Sequence, residues 1–484
     1  MAFEIEISTA GKTAKITAEK GEKLIDILSR NGFSVPAACG GRGVCGKCAV
    51  RLLEGGFDGV TPDGDGLIKS CRATVRENAR AEIKNENGEG LTLIETENLP
   101  EGRFAAAVDI GTTTLAAAVL TENGDVKKRS RLNPQSSYGA DVISRITACE
   151  NGGLADLQSL VCKAVGEMLT ELSEGRKFEC VTVCGNAVML HIFAGISPVS
   201  MGSAPFETKI DGALELDGEK YGINTKKLIL LPGVSAFVGS DTVAGIYAVG
   251  LYKSQGNILF IDMGTNAETV LKTENGIICS SAAAGPALEG AGTECGTGGV
   301  NGAVCRVEKR AGGFEISTIG DEKADGICLS GLLDAVALML ENGVVDSSGF
   351  MKNDRFYLTD GVYVSAGDIR QFQLAKSALV SCSQCLLEQA GKTAADLDEI
   401  ILSGGAGFYL NPASALKTGL LPDVDTGVIR SCGNTALEGA LRCAASQNAL
   451  EEVKKIAHLC KTVDLAGSAS FAGKFIENMA FGNN

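Results

Sequence analysis

Cysteine and aspartate are the side chains whose spacing in this chain can do chemistry. The first group is a ten-residue run, Cys39-Gly40-Gly41-Arg42-Gly43-Val44-Cys45-Gly46-Lys47-Cys48. From Gly41 it reads G-x-x-x-x-G-K, one residue short of a phosphate-binding loop, because Cys48 stands where a Ser or Thr hydroxyl must reach Mg²⁺. From Cys39 it reads C-x5-C-x2-C, a thiolate clip for iron. A zinc site would keep Cys45 and Cys48 but lacks a second close pair. Glycines 40, 41, 43 and 46 suit a backbone that curls around a metal centre and aims N–H groups at its sulfurs.

Phosphate chemistry is better placed elsewhere. "VDIGTTTL" follows the apolar run "FAAA", and "IDMGTN" follows "NILF". Each is a strand ending in Asp, then one apolar residue, Gly and Thr. Asp109 and Asp262 at the strand ends are suited to hold Mg²⁺ directly or through water. Gly111, Thr112, Thr113 and Thr114, and likewise Gly264, Thr265 and Asn266, let backbone N–H groups and hydroxyls approach phosphate oxygens. The unit recurs after about 150 residues, which signals an internal duplication. A third element, "EIILSGGAGFYLNP", is a buried strand followed by Gly404, Gly405 and Gly407, expected to open a helix against which adenine or phosphate packs closely. Asp241 in "VGSDTVAG" reads either as a group that positions water or Mg²⁺ or as a helix N-cap, and Glu289 in "AAGPALEGA" is balanced in the same way.

These residues need two kinds of scaffold. Residues 1–85 alternate in period two at "FEIEIST" and "TAKITA", turn helical at "EKLIDILSRNG", and return to strand at "KCAVRLLEG" and "IKSCRATV", the pattern of a small α+β unit. Residues 86–102 are polar and turn-rich, a linker. From residue 103 apolar strands, Gly-rich turns and longer helices follow, an α/β texture that divides by its duplication into lobe I, 103–250, and lobe II, 251–484, with helices at the C-terminal end.

Composition excludes several roles. With 484 residues, 45% hydrophobic and 21% charged, the chain can build two or more cores. Its net charge of -15, without a Lys/Arg cluster, argues against nucleic acid and membrane surfaces as partners. No basic leader and no long apolar run is present, so a cytoplasmic location is expected. Seventeen cysteines, an odd number spread over such a chain, make a poor disulfide framework, and two histidines exclude a His-rich metal site. Cys382 and Cys385 form a C-x-x-C inside a helical pattern and read as packed thiols; His191 reads as a satisfied core imidazole.

The N-terminal unit resembles plant-type ferredoxins, of ferredoxin-like (β-grasp) fold, in which three clustered cysteines and a fourth downstream ligate a [2Fe-2S] cluster. On that resemblance the ligands are Cys39, Cys45, Cys48 and Cys71. The order of first phosphate turn, second phosphate turn and Gly-Gly turn resembles the actin-like (ASKHA) ATPases, whose two similar lobes close over Mg-ATP. The combination resembles the reductive activators of corrinoid-dependent enzymes, which use ATP to return a cob(II)amide cofactor to cob(I). Further blocks carry the likeness: "NPQSSYGADVISRI", "CGNAVMLHIFAGISP", "SAPFE", "FVGSDTVAG", "AAGPALEGA" and "DIRQFQLAKSAL".

That resemblance implies a corrinoid protein or corrinoid-dependent methyltransferase as partner and a low-potential electron donor upstream, and it leaves room for a homodimer. The sequence departs from the family in three places. The linker is short where an extra domain is common, "GTECGTGGVNGA" stands where a Met-Arg pair is expected, and "SGGAGFYL" replaces a Gly-Gly-Phe-Gly. Two other readings remain open: a redox-regulated small-molecule kinase of the sugar and acetate kinase superfamily, and a nucleotide-binding redox scaffold without turnover.

Overall fold

The computed structural model describes residues 2–9, 12–31, 33, 35, 48–64, 66–83, 102–139, 141–290, 292–404, 410–465 and 467–482. In the strand Ala2–Thr9, Ile5 and Ile7 are fully buried while Glu4 and Glu6 turn to the other face, the period of two expected of a half-buried strand. This strand runs antiparallel to Lys12–Glu19 and parallel to Ala79–Glu82. Ala49–Glu54 and Leu67–Lys69 complete a five-stranded mixed sheet. The helix Leu24–Arg30 joins the same core through Leu24, Ile27 and Leu28. The result is the ferredoxin-like α+β unit. Ala79–Glu82 is a strand that the sequence pattern did not suggest.

Each lobe is built on a six-stranded sheet, and the two repeat one plan. In lobe I the strand Ala105–Ile110 pairs antiparallel with Thr114–Leu120 and parallel with Cys180–Gly185. In lobe II the strand Ile258–Met263 pairs antiparallel with Ala267–Thr273 and parallel with Glu399–Ser403. Asp109 and Asp262 occupy the same place in the two halves, one residue before the end of the central strand. These strands are apolar on both faces because both are covered: Ala106, Val108 and Ile110 enter one core, and Ala107 enters the other.

The helix Thr435–Ala445 packs on Ala105–Ile110 and Cys180–Gly185, and Thr182 Oγ1 donates to Ala440 O at 2.7 Å. The chain therefore passes from lobe II back onto the sheet of lobe I before it ends. The ferredoxin-like unit sits against lobe I, its helix Leu24–Arg30 touching the 3₁₀ turn Pro134–Tyr138. Among the described residues no helix is long and apolar enough to cross a membrane.

Candidate functional site

Antiparallel pairing of Ala49–Glu54 with Leu67–Lys69 places Cys48, which precedes the first strand, beside Cys71, which follows the second. Their Sγ atoms are 3.2 Å apart. Both thiols are buried and free of disulfides, and Ser70 N donates to Cys48 O at 3.0 Å, fixing the turn. Two reduced sulfurs held this close within a small core fit an iron centre, whose thiolate ligands must converge. Cys39, Cys45, Gly40, Gly41, Gly43 and Gly46 lie outside the described residues.

The second site is a cleft of about 1760 Å³ between the lobes. It is lined by Asp109, Gly111, Thr112 and Thr114 from the first turn, Asp262, Gly264, Thr265 and Asn266 from the second, and Asp241, Glu289 and Gly404. Gly111 N closes the first turn on Thr114 O at 3.0 Å; a Cβ at Gly111 would meet that oxygen at 2.6 Å, so the turn needs glycine. Gly404 has φ +98°, and a Cβ there would lie 2.7 Å from Met263 O and 2.9 Å from Asp262 Oδ1. Gly405 and Gly407 lie outside the described residues, and the next helix begins later, at Pro412, capped by Asn411.

The cleft gathers carboxylates. Asp109 accepts from Asn434 Nδ2 at 2.8 Å, yet burial first, then the charge of Asp241, push its pKa up to about 7. Burial and the neighbouring Asp241, Asp109 and Glu289 push Asp262 up to about 8, and burial pushes Asp241 up to about 6. Asp241 lies inside the first turn of the helix Ser240–Ala248, whose N-cap is Gly239, so the N-cap alternative does not describe it. Glu268, opposite Asp262 in the hairpin, is buried and strongly raised for the same reason. Glu289 accepts from Thr113 Oγ1 at 2.8 Å and from Thr265 Oγ1, one hydroxyl from each lobe. Among the described residues no three acidic, Cys or His side chains converge closely enough to hold a metal by themselves.

Three residues at the site escaped sequence reasoning although a repeat marks two of them. Cys184-Gly185-Asn186 and Cys432-Gly433-Asn434 each precede a helix that the asparagine caps. Asn186 Nδ2 donates to Thr112 Oγ1 at 3.1 Å, and Asn434 reaches Asp109. Glu268 carried no signal, because an acid after an apolar strand end reads as a hairpin residue. His191 is satisfied in the core: Nδ1 contacts Ala187 O at 2.7 Å, and Nε2 accepts from Lys209 N at 2.9 Å. Cys382 and Cys385 are buried in the helix Ala366–Gln389.

Three family descriptions match successive parts of the chain: a 2Fe-2S iron-sulfur cluster binding domain over residues 7–76, the RACo middle region over 104–254, and the C-terminal domain of RACo, the ASKHA domain, over 256–484. The corrinoid activation enzyme RamQ of Eubacterium limosum is 30% identical over 421 residues, covering 79% of this chain and 71% of RamQ. The chain belongs to the RACo family. A [Co(II) methylated amine-specific corrinoid protein] reductase of Methanosarcina barkeri is 24% identical, covering 73% of this chain and 72% of its own. The solved structure of a reductive activator for corrinoid, iron-sulfur protein has the same fold, with a TM-score of 0.74 and 23% identity over 99% of this chain and 98% of that one. In this RACo-family chain the middle-region match falls on lobe I and the ASKHA match on lobe II, with the Asp-x-Gly-Thr turns near the start of each.

Proposed function

We propose that this RACo-family chain is an ATP-dependent reductive activator. It passes one electron from a [2Fe-2S] cluster held by Cys39, Cys45, Cys48 and Cys71 to the cob(II)amide of a corrinoid protein or corrinoid-dependent methyltransferase, restoring cob(I). The observation that carries the reading is the union, in one chain, of a converging thiol pair with a two-lobed carboxylate and hydroxyl cleft, the module of the first packed against the lobe that bears the first phosphate turn.

The roles divide by chemistry. Asp109 and Asp262 receive Mg²⁺ that arrives on the triphosphate, and Gly111, Thr112, Thr113, Thr114, Gly264, Thr265 and Asn266 hold the phosphates. Gly404, with Gly405 and Gly407, leaves room for the adenosine. Asp241 and Glu289 orient the water that attacks the terminal phosphoryl group. A bound cluster supplies single electrons at low potential. Each ~59 mV by which the cobalt couple lies below the cluster loses a factor of ten in equilibrium, so the transfer needs an energy source. Nucleotide-driven closure of the lobes provides it by favouring one docked arrangement with the client. The same reading places the protein in the cytoplasm, where such clients and a low-potential electron donor are found.

The test is anaerobic and follows cobalt absorbance. The intact chain with Mg-ATP, a strong reductant and a corrinoid protein from the same organism should produce the cob(I) spectrum, and omission of ATP should leave cob(II). If ATP never alters the extent of reduction while a sugar or carboxylate is phosphorylated, a kinase replaces this reading.

A further inference from the structure

Arg145, in the helix Val142–Glu150, is fully buried and, among the described residues, makes no ion pair. Its Nη1 donates to Gln135 Oε1 at 3.1 Å and contacts Met189 Sδ at 2.8 Å. Its Nη2 donates to Thr112 O and, at 3.4 Å, to Gly139 O; Nε has no partner. A buried guanidinium without a direct ion pair, offset only by the more distant charges of Asp141 and Glu289, is costly and needs a use that repays it.

The carbonyls of the first phosphate turn account for that use. Asn133 Nδ2 donates to Gly111 O at 2.8 Å, Arg145 to Thr112 O, and Asn133 N to Thr113 O at 2.8 Å, while Thr114 O accepts from Gly111 N. Every carbonyl oxygen of the turn is therefore engaged. Phosphate only accepts, so a peptide flip that turned an oxygen toward it would repel the nucleotide. In lobe II the residue equivalent to Thr112 is Thr265, which follows Asp262 as Thr112 follows Asp109, and Thr265 O is held by the neutral Gly285 N at 2.9 Å. A neutral donor thus suffices for the geometry. The cleft already holds Asp109, Asp241, Asp262, Glu268 and Glu289, and the arginines at its wall, Arg129 and Arg131, are paired with Glu171 and Glu167.

We propose that Arg145 is the positioning residue of the first phosphate turn: it fixes the Thr112 carbonyl away from the nucleotide and sets a positive charge, held in no direct ion pair, one peptide behind the phosphates. This rests on the nucleotide reading above. Because the charge acts through the turn, it favours the more highly charged nucleotide, so Mg-ATP gains more than Mg-ADP.

Calorimetric binding of Mg-ATP and Mg-ADP to the full-length chain tests it, with cluster absorbance and melting temperature as controls of folding. R145Q should weaken Mg-ATP by roughly tenfold or more, the scale of one charge-assisted hydrogen bond, and Mg-ADP by less. R145K, which keeps the charge and loses the fork, should retain the preference for ATP over ADP while binding both more weakly. In turnover assays the loss should fall on KM more than on kcat. Should R145Q fail to fold, R145K decides: loss of the ATP preference, or affinities equal to wild type, overturns the proposal. Equal weakening of ATP and ADP by R145Q with Lys no better than Gln also overturns it, leaving a structural arginine. A wild-type chain that binds no nucleotide overturns the nucleotide reading and this inference together.

Discussion

The hydroxyls of Thr113 and Thr265, one from each phosphate turn and 152 positions apart, lie 3.4 Å from one another. Both donate to the same oxygen of Glu289. A carboxylate oxygen that collects a donor from each lobe has the acceptor chemistry of a terminal phosphate, and Glu289 holds the two turns in register.

Substitution of Glu289 by Gln keeps an acceptor for the two threonines and removes the charge. Turnover of ATP should fall by roughly a hundredfold or more, the usual weight of a group that orients or deprotonates the attacking water. Nucleotide affinity should not fall, because a like charge has left the phosphate seat. Steady-state hydrolysis with calorimetry measures both. A raised KM at unchanged kcat would assign Glu289 to binding alone.

The raised carboxyls of Asp241, Asp109 and Asp262, at about 6, 7 and 8, make a prediction with a definite sign. Unfolded aspartates titrate near ~4, so between ~4 and ~8 the nucleotide-free folded chain binds more protons than the unfolded one, and its stability falls as pH rises. Mg²⁺ selects the ionised carboxylates. Binding of Mg-ATP should then release protons, tighten from pH 6 to about 8, and flatten the decline in melting temperature. Calorimetry in two buffers of different ionisation enthalpy counts the protons; binding that neither releases protons nor varies with pH separates these aspartates from the metal.

Much of this arrangement was legible because it is local. A strand-end Asp followed by Gly-Thr announces itself, and period two marked Ala2–Thr9 and Lys12–Glu19. Ala79–Glu82 was not legible, since its inward residues are only Ala79 and Ala81, and its pairing partners, Ala2–Thr9 and Ala49–Glu54, both lie far from it in the chain, beyond the reach of a short window of sequence. Asn434 and Arg145 were hidden for a related reason. Their roles depend on which element returns to the first turn, and the return of Thr435–Ala445 to the sheet of lobe I is a tertiary fact. Even so, the doubled Cys-Gly-Asn before a helix was a signal within reach.

Gly404 gives a steric test of the third turn. Its φ is +98°, and Met263 O stands 2.7 Å from the point a Cβ would occupy, which leaves no room for a side chain. G404A should cost about 1 kcal/mol or more, and its strain should be relieved by displacing Asp262, so Mg-ATP affinity should fall alongside the melting temperature. Gly473, exposed in the helix Ala469–Glu477 with nothing within 4 Å, is the control: G473A should bind nucleotide normally and be slightly more stable. Normal affinity in G404A would free the third turn from any part in the nucleotide site.

The 3.2 Å separation of Cys48 and Cys71 makes the last prediction, because it requires that the two sulfurs act as a unit. C71S should lose the visible charge-transfer absorption and most of its iron when purified without air, since a serine oxygen beside Cys48 is a poor replacement for a thiolate. Hydrolysis of ATP should persist, for the phosphate turns lie on other strands with their own cores. In the iron-free wild-type chain the same proximity allows mild oxidation to join Cys48 and Cys71, so two thiols should vanish from titration and peptide mapping should find that pair. Thiols that are pushed up, such as Cys382 at about 12, should stay reduced, because the thiolate is the attacking species. Reduction and anaerobic supply of iron and sulfide should then restore the spectrum. If C71S keeps its iron and spectrum, or if oxidation pairs other cysteines while these two remain free, Cys71 leaves the ligand set and the electron-transfer reading loses its anchor in the structure.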